Sequence, residues 1–450
     1  MAASTAVTLE DTPPNRTPAT RGAQVAALTG LRGFAAMMVV VIHVSGRTDY
    51  EWLGITDLGV LILFVLSGYL LYRPWGRWGM QVAARPSLRQ FTRRRLARIF
   101  PAFLVVAMVV TLLDPPSRPG TPGGWVRLLT LTWIYEPGQL PVALLHTWSL
   151  ATELSWYVAV PVLLGGAAVV ARTRSPKVGF WLTTALLAAA FPVTAAWRWW
   201  VHAEDLTIYF TYSFWLPGFL AAFACGALVA HLAEGRRAGL VSMGGLGRVA
   251  ADPWTLLVAA LALTLLGTSS LGGPAGFAPR TFAEEQLSFA CATLAATILL
   301  VGIVFGEPSS PLSRFMGATW LVATGRWSYS IYLWHLPLIV ILEADVAYPT
   351  GLHGLAYRLA LLLALTLPLS AATYAWVERP AIRWSQGLTP FGADPDPGTS
   401  TTPPAGADQD RPPAADLPRD GRSPTTASSS TNPQPMAPAP AQSRRVSAEE

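Results

Sequence analysis

An arginine and a histidine share one apolar stretch near the start of the chain. Within LTGLRGFAAMMVVVIHV, Arg32 and His43 are eleven residues apart. On a helix this spacing places the two side chains about 20° apart on one face and about 16 Å apart along the axis. An ionisable side chain in an apolar membrane helix is costly and is a candidate functional group. The spacing predicts that His43 is catalytic, with a cation on the same helix face.

A second group of basic residues follows in FTRRRLARIFPAFLVV. Arg94 and Arg98 are four residues apart, and Arg95 and Arg98 are three apart, so a helix brings them onto one face. One planar guanidinium group can bind two oxygens of a phosphate at once. The spacing therefore predicts a site for a ligand that carries several phosphates. Arginines that anchor a helix end in the interface have the same spacing, so that alternative stays open.

The stretch HTWSLATELSWYVAVP carries a carboxylate, Glu153, with no basic neighbour in its own helix. A carboxylate in a membrane helix needs a partner, and we expect His43 to lie at a similar depth. Glu153 would then orient the imidazole and stabilise its protonated form as a second catalytic residue. Trp148, Ser149 and Tyr157 are candidate substrate contacts. The aromatic belt of a membrane interface explains the Trp and Tyr residues equally well.

A further histidine, His335, lies in GRWSYSIYLWHLPLIVIL. A structural role in a helix bundle and a role in substrate binding are equally supported for it. The chain has no GxSxG elbow, HExxH pair or glycine loop for phosphates. Cys225 and Cys291 stand in apolar stretches without ligand spacing. These patterns disfavour a soluble hydrolase, and no metal site is predicted.

The elements that carry these residues are predicted to be membrane helices. The 450 residues are 52% hydrophobic and only 13% charged, whereas soluble domains carry about a quarter charged residues. Apolar runs approach or exceed the roughly 18 to 20 residues that cross the hydrocarbon core. The predicted fold is all-α, a polytopic membrane bundle of about ten transmembrane helices. The ten runs are 27–46, 56–72, 96–113, 147–171, 179–197, 212–233, 254–270, 285–305, 319–343 and 355–377.

The basic residues are unequally divided between the two sides of the predicted bundle. If the N-terminus is inside, 20 Arg and Lys residues fall on the inner side and 6 on the outer side. This bias predicts a protein of the inner (plasma) membrane with both termini in the cytoplasm. It also accounts for the net charge of +6 without a nucleic-acid partner.

Composition divides the chain into three parts. Residues 25–385 form the predicted membrane domain. Residues 1–24 and 386–450 are rich in Pro, Thr and Ala, with few large apolar residues to bury. They are predicted to be a disordered cytoplasmic leader and a disordered cytoplasmic tail. The sequence does not indicate an oligomeric state.

Four blocks resemble the membrane acyltransferase-3 family, which includes O-antigen and exopolysaccharide O-acetylases and macrolide O-acyltransferases. They are LRGFAAMMVVVIHV, LILFVLSGYLLYRP, RRRLARIFPAF and TWSLATELSWY. SYSIYLWHLPL and VERPAIRW are also similar to the family, and the blocks follow its order from about residue 27 to 384. Trp156 stands where the family often has Phe, a mild departure.

The resemblance implies a fold, an activity and roles for single residues. The protein would be an integral membrane O-acyltransferase that takes an acyl group, such as acetyl, from acyl-CoA and transfers it to a hydroxyl of a carbohydrate-like acceptor. His43 would be the essential histidine, with Arg32 as its paired basic residue. Arg94, Arg95 and Arg98 would bind acyl-CoA, and Glu153 would assist. No permanently bound cofactor is implied.

A membrane transporter or exporter of a glycan or metabolite is the alternative function. Buried Arg, His and Glu side chains also mark substrate paths through transporters. The sequence shows no internal repeat and no pair of matching broken spans, which are typical of many transporter folds. The resemblance therefore favours the acyltransferase.

Overall fold

The computed structural model describes residues 18–53, 58–136, 141–206, 211–275, 278–345 and 348–391, and these are all-helical, without β-strands. The helices up to residue 203 are α1 Pro18–Ser45, α2 Leu58–Gly79, α3 Leu88–Leu113, α4 Pro122–Leu129, α5 Trp148–Ala171, α6 Pro176–Ala188 and α7 Ala190–Ala203. The later ones are α8 Leu220–Arg237, α9 Gly244–Ala251, α10 Pro253–Gly267, α11 Phe282–Phe305, α12 Pro311–Met316, α13 Thr319–Asp345, α14 Gly351–Thr373 and α15 Arg379–Ser385. One π-helical turn, Tyr374–Glu378, joins α14 to α15.

The prediction of a polytopic helical bundle is confirmed. Eight helical segments among the described residues are long and apolar enough to cross a membrane. The two other predicted spans also coincide with helices. α10 is shorter, at 15 residues, and α13 is long, at 27 residues, but contains more polar side chains. The predicted span 179–197 lies across α6 and α7, which meet at Ala189.

Two predicted boundaries differ from the helix ends. α1 begins at Pro18, inside the predicted leader. The basic segment between the second and third spans is largely helical, since α2 runs to Gly79 and α3 begins at Leu88. Ser87 accepts a hydrogen bond from the backbone N–H of Gln90, which caps the start of α3. Residues 1–17 and 392–450, which hold most of the predicted leader and tail, lie outside the described residues.

Apolar side chains cover the outside of the bundle as well as its interior. Val158, Val162 and Val169 of α5 are more than half exposed, and they recur at helical spacing on one face. Leu261 and Leu265 of α10 are exposed in the same way. An apolar outer face of this kind is unfavourable in water and fits contact with lipid.

Close packing between α1 and α13 positions the site. A Cβ atom added at Gly325 of α13 would collide with the carbonyl oxygen of Thr29 in α1. Small residues let two membrane helices approach closely where no hydrophobic effect draws them together. The contact fixes the position of α1, which carries Arg32 and His43, relative to α13, which carries His335.

Candidate active site

A cavity of about 170 Å³ opens between α1, α2, α3, α5 and α13. Its walls are apolar on the α2 side, where Val60, Leu63 and Phe64 line it. Charged and hydroxyl side chains converge on it from all five helices. The polar lining residues are Arg32, Ser67, Arg95, Arg98, Ser149, Glu153, Tyr157, Ser328, Tyr329 and Tyr332. An apolar cleft with a few convergent polar groups is the usual form of a small-molecule site.

Three arginines bring positive charge to this cavity. Arg32 comes from α1, and Arg95 and Arg98 come from α3, three residues apart. None of the three forms an ion pair with a carboxylate in the described part of the chain. The Arg95 guanidinium lies 5.8 Å from the ring centroid of Tyr157, and its Nε is buried without a hydrogen-bond partner among the described residues. Such a cluster favours an anionic ligand.

Arg94 lies elsewhere, although the sequence grouped it with Arg95 and Arg98. Its side chain is exposed, and it is not among the residues that line the cavity. Arg93 also faces away, since its Nε and a terminal nitrogen donate to the carbonyl oxygen of Ser385. The arginine set that meets at the cavity is therefore Arg32, Arg95 and Arg98.

Glu153 lines the cavity with a fixed carboxylate. Its Oε1 accepts a hydrogen bond from Ser67 Oγ at 2.7 Å and another from Tyr157 Oη at 3.0 Å. The sequence predicts that Glu153 orients His43, and in the structure the two side chains have different contacts. Glu153 is held by hydroxyl groups of α2 and α5, whereas the His43 ring packs against His335.

His43 belongs to a cluster of three imidazoles beside the cavity. The His335 ring centroid lies 5.0 Å from that of His43 and 5.0 Å from that of His146. His43 Nδ1 is 2.8 Å from the carbonyl oxygen of Val39, and His335 Nδ1 is 2.7 Å from the carbonyl oxygen of Tyr332. Because a carbonyl oxygen only accepts, each neutral ring carries its proton on Nδ1, and Nε2 is its basic nitrogen.

Tyr332 contacts both the cavity and two of the three histidines. It lines the cavity, and its ring centroid lies 5.2 Å from His146 and 5.5 Å from His335. Its hydroxyl donates to the carbonyl oxygen of His146 at 2.6 Å and lies 2.6 Å from Ser149 Oγ. Neither His43 nor His335 is among the lining residues. Tyr332 thus links the cavity to His146 and His335.

Charged contacts tie the His43 end of α1 to its neighbours. Arg47, one turn beyond His43, donates to the His43 carbonyl oxygen at 2.7 Å and pairs with Glu343 of α13 at 2.9 Å. Glu343 also pairs with Arg358 of α14 at 3.0 Å. Partly exposed ion pairs add little stability. These ion pairs instead orient the helices, because they join the ends of α1, α13 and α14 beside the histidine cluster.

The predicted substrate contacts separate into two groups. Ser149 and Tyr157 line the cavity, as Glu153 does. Trp148 instead stacks on Phe214, with ring centroids 4.5 Å apart and planes 10° apart, and it also packs on Phe219. Trp148 is therefore part of the packing between helices. His335 lies in the histidine cluster.

The structure also reveals polar residues that sequence reasoning did not select. Ser67 holds Glu153, and Glu378 is buried at the end of the π-helical turn, where Ser330 donates a hydrogen bond to it. Arg379 N–H donates to the carbonyl oxygen of Tyr374 five residues earlier, and Pro380 follows with no N–H to donate. The Glu-Arg-Pro triplet in an otherwise apolar helix was the sequence feature that could have revealed Glu378.

Comparisons with known proteins find similar acyltransferases over most of this chain. Residues 25–375 match the acyltransferase domain of the acyltransferase-3 family. The chain is 26% identical over 423 residues to acyltransferase MdmB of Streptomyces mycarofaciens, covering 85% of this chain and 98% of that protein. It is 28% identical over 373 residues to BcsY, a protein of Komagataeibacter xylinus that is named as a membrane-bound transacylase. That alignment covers 78% of this chain and 81% of BcsY.

A third relative is the peptidoglycan O-acetyltransferase OatA of Listeria monocytogenes, 24% identical over 381 residues. The alignment covers 79% of this chain and 55% of OatA, so the chain spans about half of that relative. No solved structure matches the chain. Since the family match extends over most of the membrane helices, this chain belongs to the acyltransferase-3 family and is a multi-pass membrane acyltransferase.

Proposed function

We propose that this enzyme takes an acyl group, acetyl in the simplest case, from cytoplasmic acyl-CoA and transfers it to a hydroxyl of a carbohydrate-containing acceptor. The observation that carries the proposal is the meeting of Arg32, Arg95 and Arg98 at one cavity without a carboxylate partner in the described residues. The cavity lining holds three cations and one carboxylate, that of Glu153, so it favours a ligand with several negative charges. The phosphate groups of coenzyme A carry such charges.

The cavity suits the phosphate end of that donor, because Arg32, Arg95 and Arg98 line it. His43 lies eleven residues beyond Arg32 on α1, about 16 Å along the helix axis. The extended pantetheine arm would span this distance and bring the thioester to His43.

His43 supplies the base in this proposal. With Nδ1 donating to Val39 O, its Nε2 carries the lone pair that accepts the proton of the acceptor hydroxyl. The hydroxyl oxygen then attacks the acyl carbon, and the electron pair of the carbon–sulfur bond leaves with the thiolate. Glu153, held by Ser67 and Tyr157, lies on the donor side and keeps those hydroxyl groups oriented towards the cavity.

A sugar hydroxyl is the proposed acceptor because one relative, OatA, is named for O-acetylation of peptidoglycan, a carbohydrate-containing polymer. Polysaccharides, glycolipids and macrolide-like glycosides all present such hydroxyl groups. The proposal places the acceptor on the outer side of the plasma membrane, because the basic-residue distribution predicts that the His43 end of α1 faces outward.

Intact-mass analysis of surface glycans and secreted metabolites tests this function. A strain that lacks the gene should lose acetyl or longer acyl mass units from one product, and the wild-type gene should restore them. A complementing His43→Ala gene should not restore them, whereas Arg94→Ala, with its exposed side chain outside the cavity, should. An unchanged acylation profile combined with loss of export of a metabolite would instead support the transporter.

A further inference from the structure

A network of three charged side chains lies at the His43 end of α1. Arg47 donates from Nη1 to the His43 carbonyl oxygen at 2.7 Å and from Nε to Glu343 Oε2 of α13 at 2.9 Å. Arg358 of α14 donates from Nη1 to the other oxygen, Glu343 Oε1, at 3.0 Å. One guanidinium is therefore fixed against the backbone of the proposed base, and the carboxylate is held between two cations.

Both the network and His43 are accessible. The side chains of Arg47 and Glu343 are each 31% exposed, and that of Arg358 is 22% exposed. His43 is partly exposed, while the other two imidazoles of the histidine cluster are buried. His43 is thus the imidazole that an acceptor can reach, and the charged network lies beside it.

The network keeps hydrogen-bonding capacity for a ligand. Arg47 uses Nε and Nη1 and Arg358 uses Nη1, so Nη2 of each makes no hydrogen bond in the described part of the chain. Each carboxylate oxygen of Glu343 has a second lone pair beyond the one that its arginine occupies. Donors and acceptors therefore alternate. This arrangement matches adjacent hydroxyl groups, because each hydroxyl both donates and accepts.

An aromatic pair extends the network on the α14 side. The Arg358 guanidinium lies 3.9 Å from the ring centroid of Tyr348. The Tyr348 centroid lies 6.0 Å from that of Tyr357, which is 48% exposed. The face of an aromatic ring is negative and attracts the polarised C–H groups of a sugar ring. A sugar can use both the ring face and the charged groups, whereas a simple alcohol has no second hydroxyl for the network.

We propose that Arg47, Glu343 and Arg358 form the acceptor subsite, which binds the sugar hydroxyls next to the one that is acylated, with the Tyr357 ring against the sugar face. The inference rests on the proposed acyl-CoA-dependent O-acylation. Because Arg47 is bonded to the His43 carbonyl oxygen, a sugar bound to Arg47 has its next hydroxyl within reach of the His43 ring. Donor and acceptor then approach His43 from opposite directions along α1.

The experiment titrates acceptor at saturating acetyl-CoA. The probe is a glycan and metabolite extract of a strain that lacks the gene, in which unacylated acceptor remains. Transfer of radiolabelled acetyl groups is measured with the full chain in detergent. With Glu343→Gln, which keeps the shape and removes the charge, the half-saturating amount of extract should rise at least about tenfold, as for one lost charge-assisted contact. The acetyl-CoA KM should stay within about twofold of wild type, because the donor arginines are unchanged.

Glu136→Gln is the matched control. Glu136 also forms a partly exposed ion pair, with Arg127 at 2.5 Å, but within the segment that joins α3 to α5. The half-saturating amount of extract should not change in this variant. An equal rise in both variants, or a Glu343→Gln enzyme that saturates like wild type, would overturn the subsite. So would a loss confined to the maximal rate and the unfolding temperature, since a role in helix orientation alone gives that result.

A measurement on the wild-type protein remains decisive if the variants do not insert. Phenylglyoxal modifies accessible arginines, and peptide masses report the rate at each position. The extract should slow modification of Arg47 and Arg358 at least about threefold and leave that of Arg127 unchanged. Equal rates with and without extract would overturn the subsite. Failure of the underlying function looks different: wild-type protein would then transfer no acetyl from acetyl-CoA to the extract.

Discussion

At the scale of single residues, the proposed mechanism assigns donor binding and proton transfer to different side chains. Arg32, Arg95 and Arg98 line the cavity, whereas His43 lies in the histidine cluster and is not among the lining residues. Loss of an arginine and loss of the histidine should therefore have different kinetic consequences.

Changing Arg98 to Ala should weaken acyl-CoA binding by about 1.5 to 3 kcal/mol, the cost of one lost charge-assisted contact. Each 1.4 kcal/mol is about a tenfold change in Kd. Arg94→Ala is the matched control, because Arg94 is exposed on the same helix and does not line the cavity. Equal losses in the two variants, measured by isothermal titration with acetyl-CoA in detergent, would contradict the assignment of the donor site.

Changing His43 to Ala should abolish acyl transfer and leave acyl-CoA affinity within about twofold of wild type. The physical reason is that the His43 ring contacts His335 and not the cavity arginines. Binding of acetyl-CoA and transfer of its acetyl group are measured on the same preparation. A correctly inserted His43→Ala protein that still transfers at a comparable rate would refute the catalytic role.

The sequence predicted these residues better than it predicted their partners. Helical spacing placed Arg32 and His43 on one face, because that relation depends only on the helix repeat. It could not reveal that Glu153 bonds to Ser67 and Tyr157, or that His335 and His146 surround the cluster. Contacts between helices depend on crossing angles and on rotation about each axis, which no spacing within one helix encodes. For the same reason it could not reveal that Arg94 is exposed away from the cavity or that Trp148 stacks on Phe214.

At the scale of helices, the α1–α13 contact holds the His43 and His335 rings together. Gly325→Ala would place a methyl group against the Thr29 carbonyl oxygen, which is rigid backbone. Overpacking of this kind costs about 1 to 3 kcal/mol. We expect a lower unfolding temperature in detergent and a reduced transfer rate, because the His43 and His335 rings would be forced apart.

Gly166→Ala is the control for this change. Gly166 lies in the membrane helix α5, where an added Cβ would meet nothing within 4 Å. Alanine there should leave the unfolding temperature unchanged or slightly raised. If both variants behave alike in a fluorescence-detected thermal unfolding assay, the close α1–α13 contact does not have the importance assigned to it.

At the scale of the whole molecule, we expect both chain termini to face the cytoplasm. This prediction rests on ten membrane passes and on the 20 to 6 division of basic residues. Two kinds of reporter can be fused after residue 391, the last described residue. A reporter that works only in the cytoplasm should be active there, and a reporter that works only after export should be inactive. Activity of a reporter that requires export would mean that one helix, α10 being the shortest candidate at 15 residues, does not cross.

The segment from residue 392 onwards is predicted to be dispensable. Its richness in Pro, Ser and Thr and its scarcity of large apolar residues give it nothing to bury. A chain that ends at residue 391 should insert at the normal level and transfer acetyl groups at a rate within about twofold of wild type. Lost activity at a normal protein level, measured by immunoblot and acetyl transfer, would show a docking function in the tail.

The position of His43 at the end of α1 opposite Arg32 also bears on the electrical work of the reaction. An acyl group that leaves the thiolate and joins an outer oxygen carries the equivalent of one positive charge outward. A proton that His43 takes from the acceptor hydroxyl and gives to the thiolate carries one charge inward, so the exchange is electroneutral. Moving a single uncompensated charge across 100 mV would involve about 2.3 kcal/mol. The histidine cluster would thus let O-acylation outside the cell proceed independently of the membrane potential.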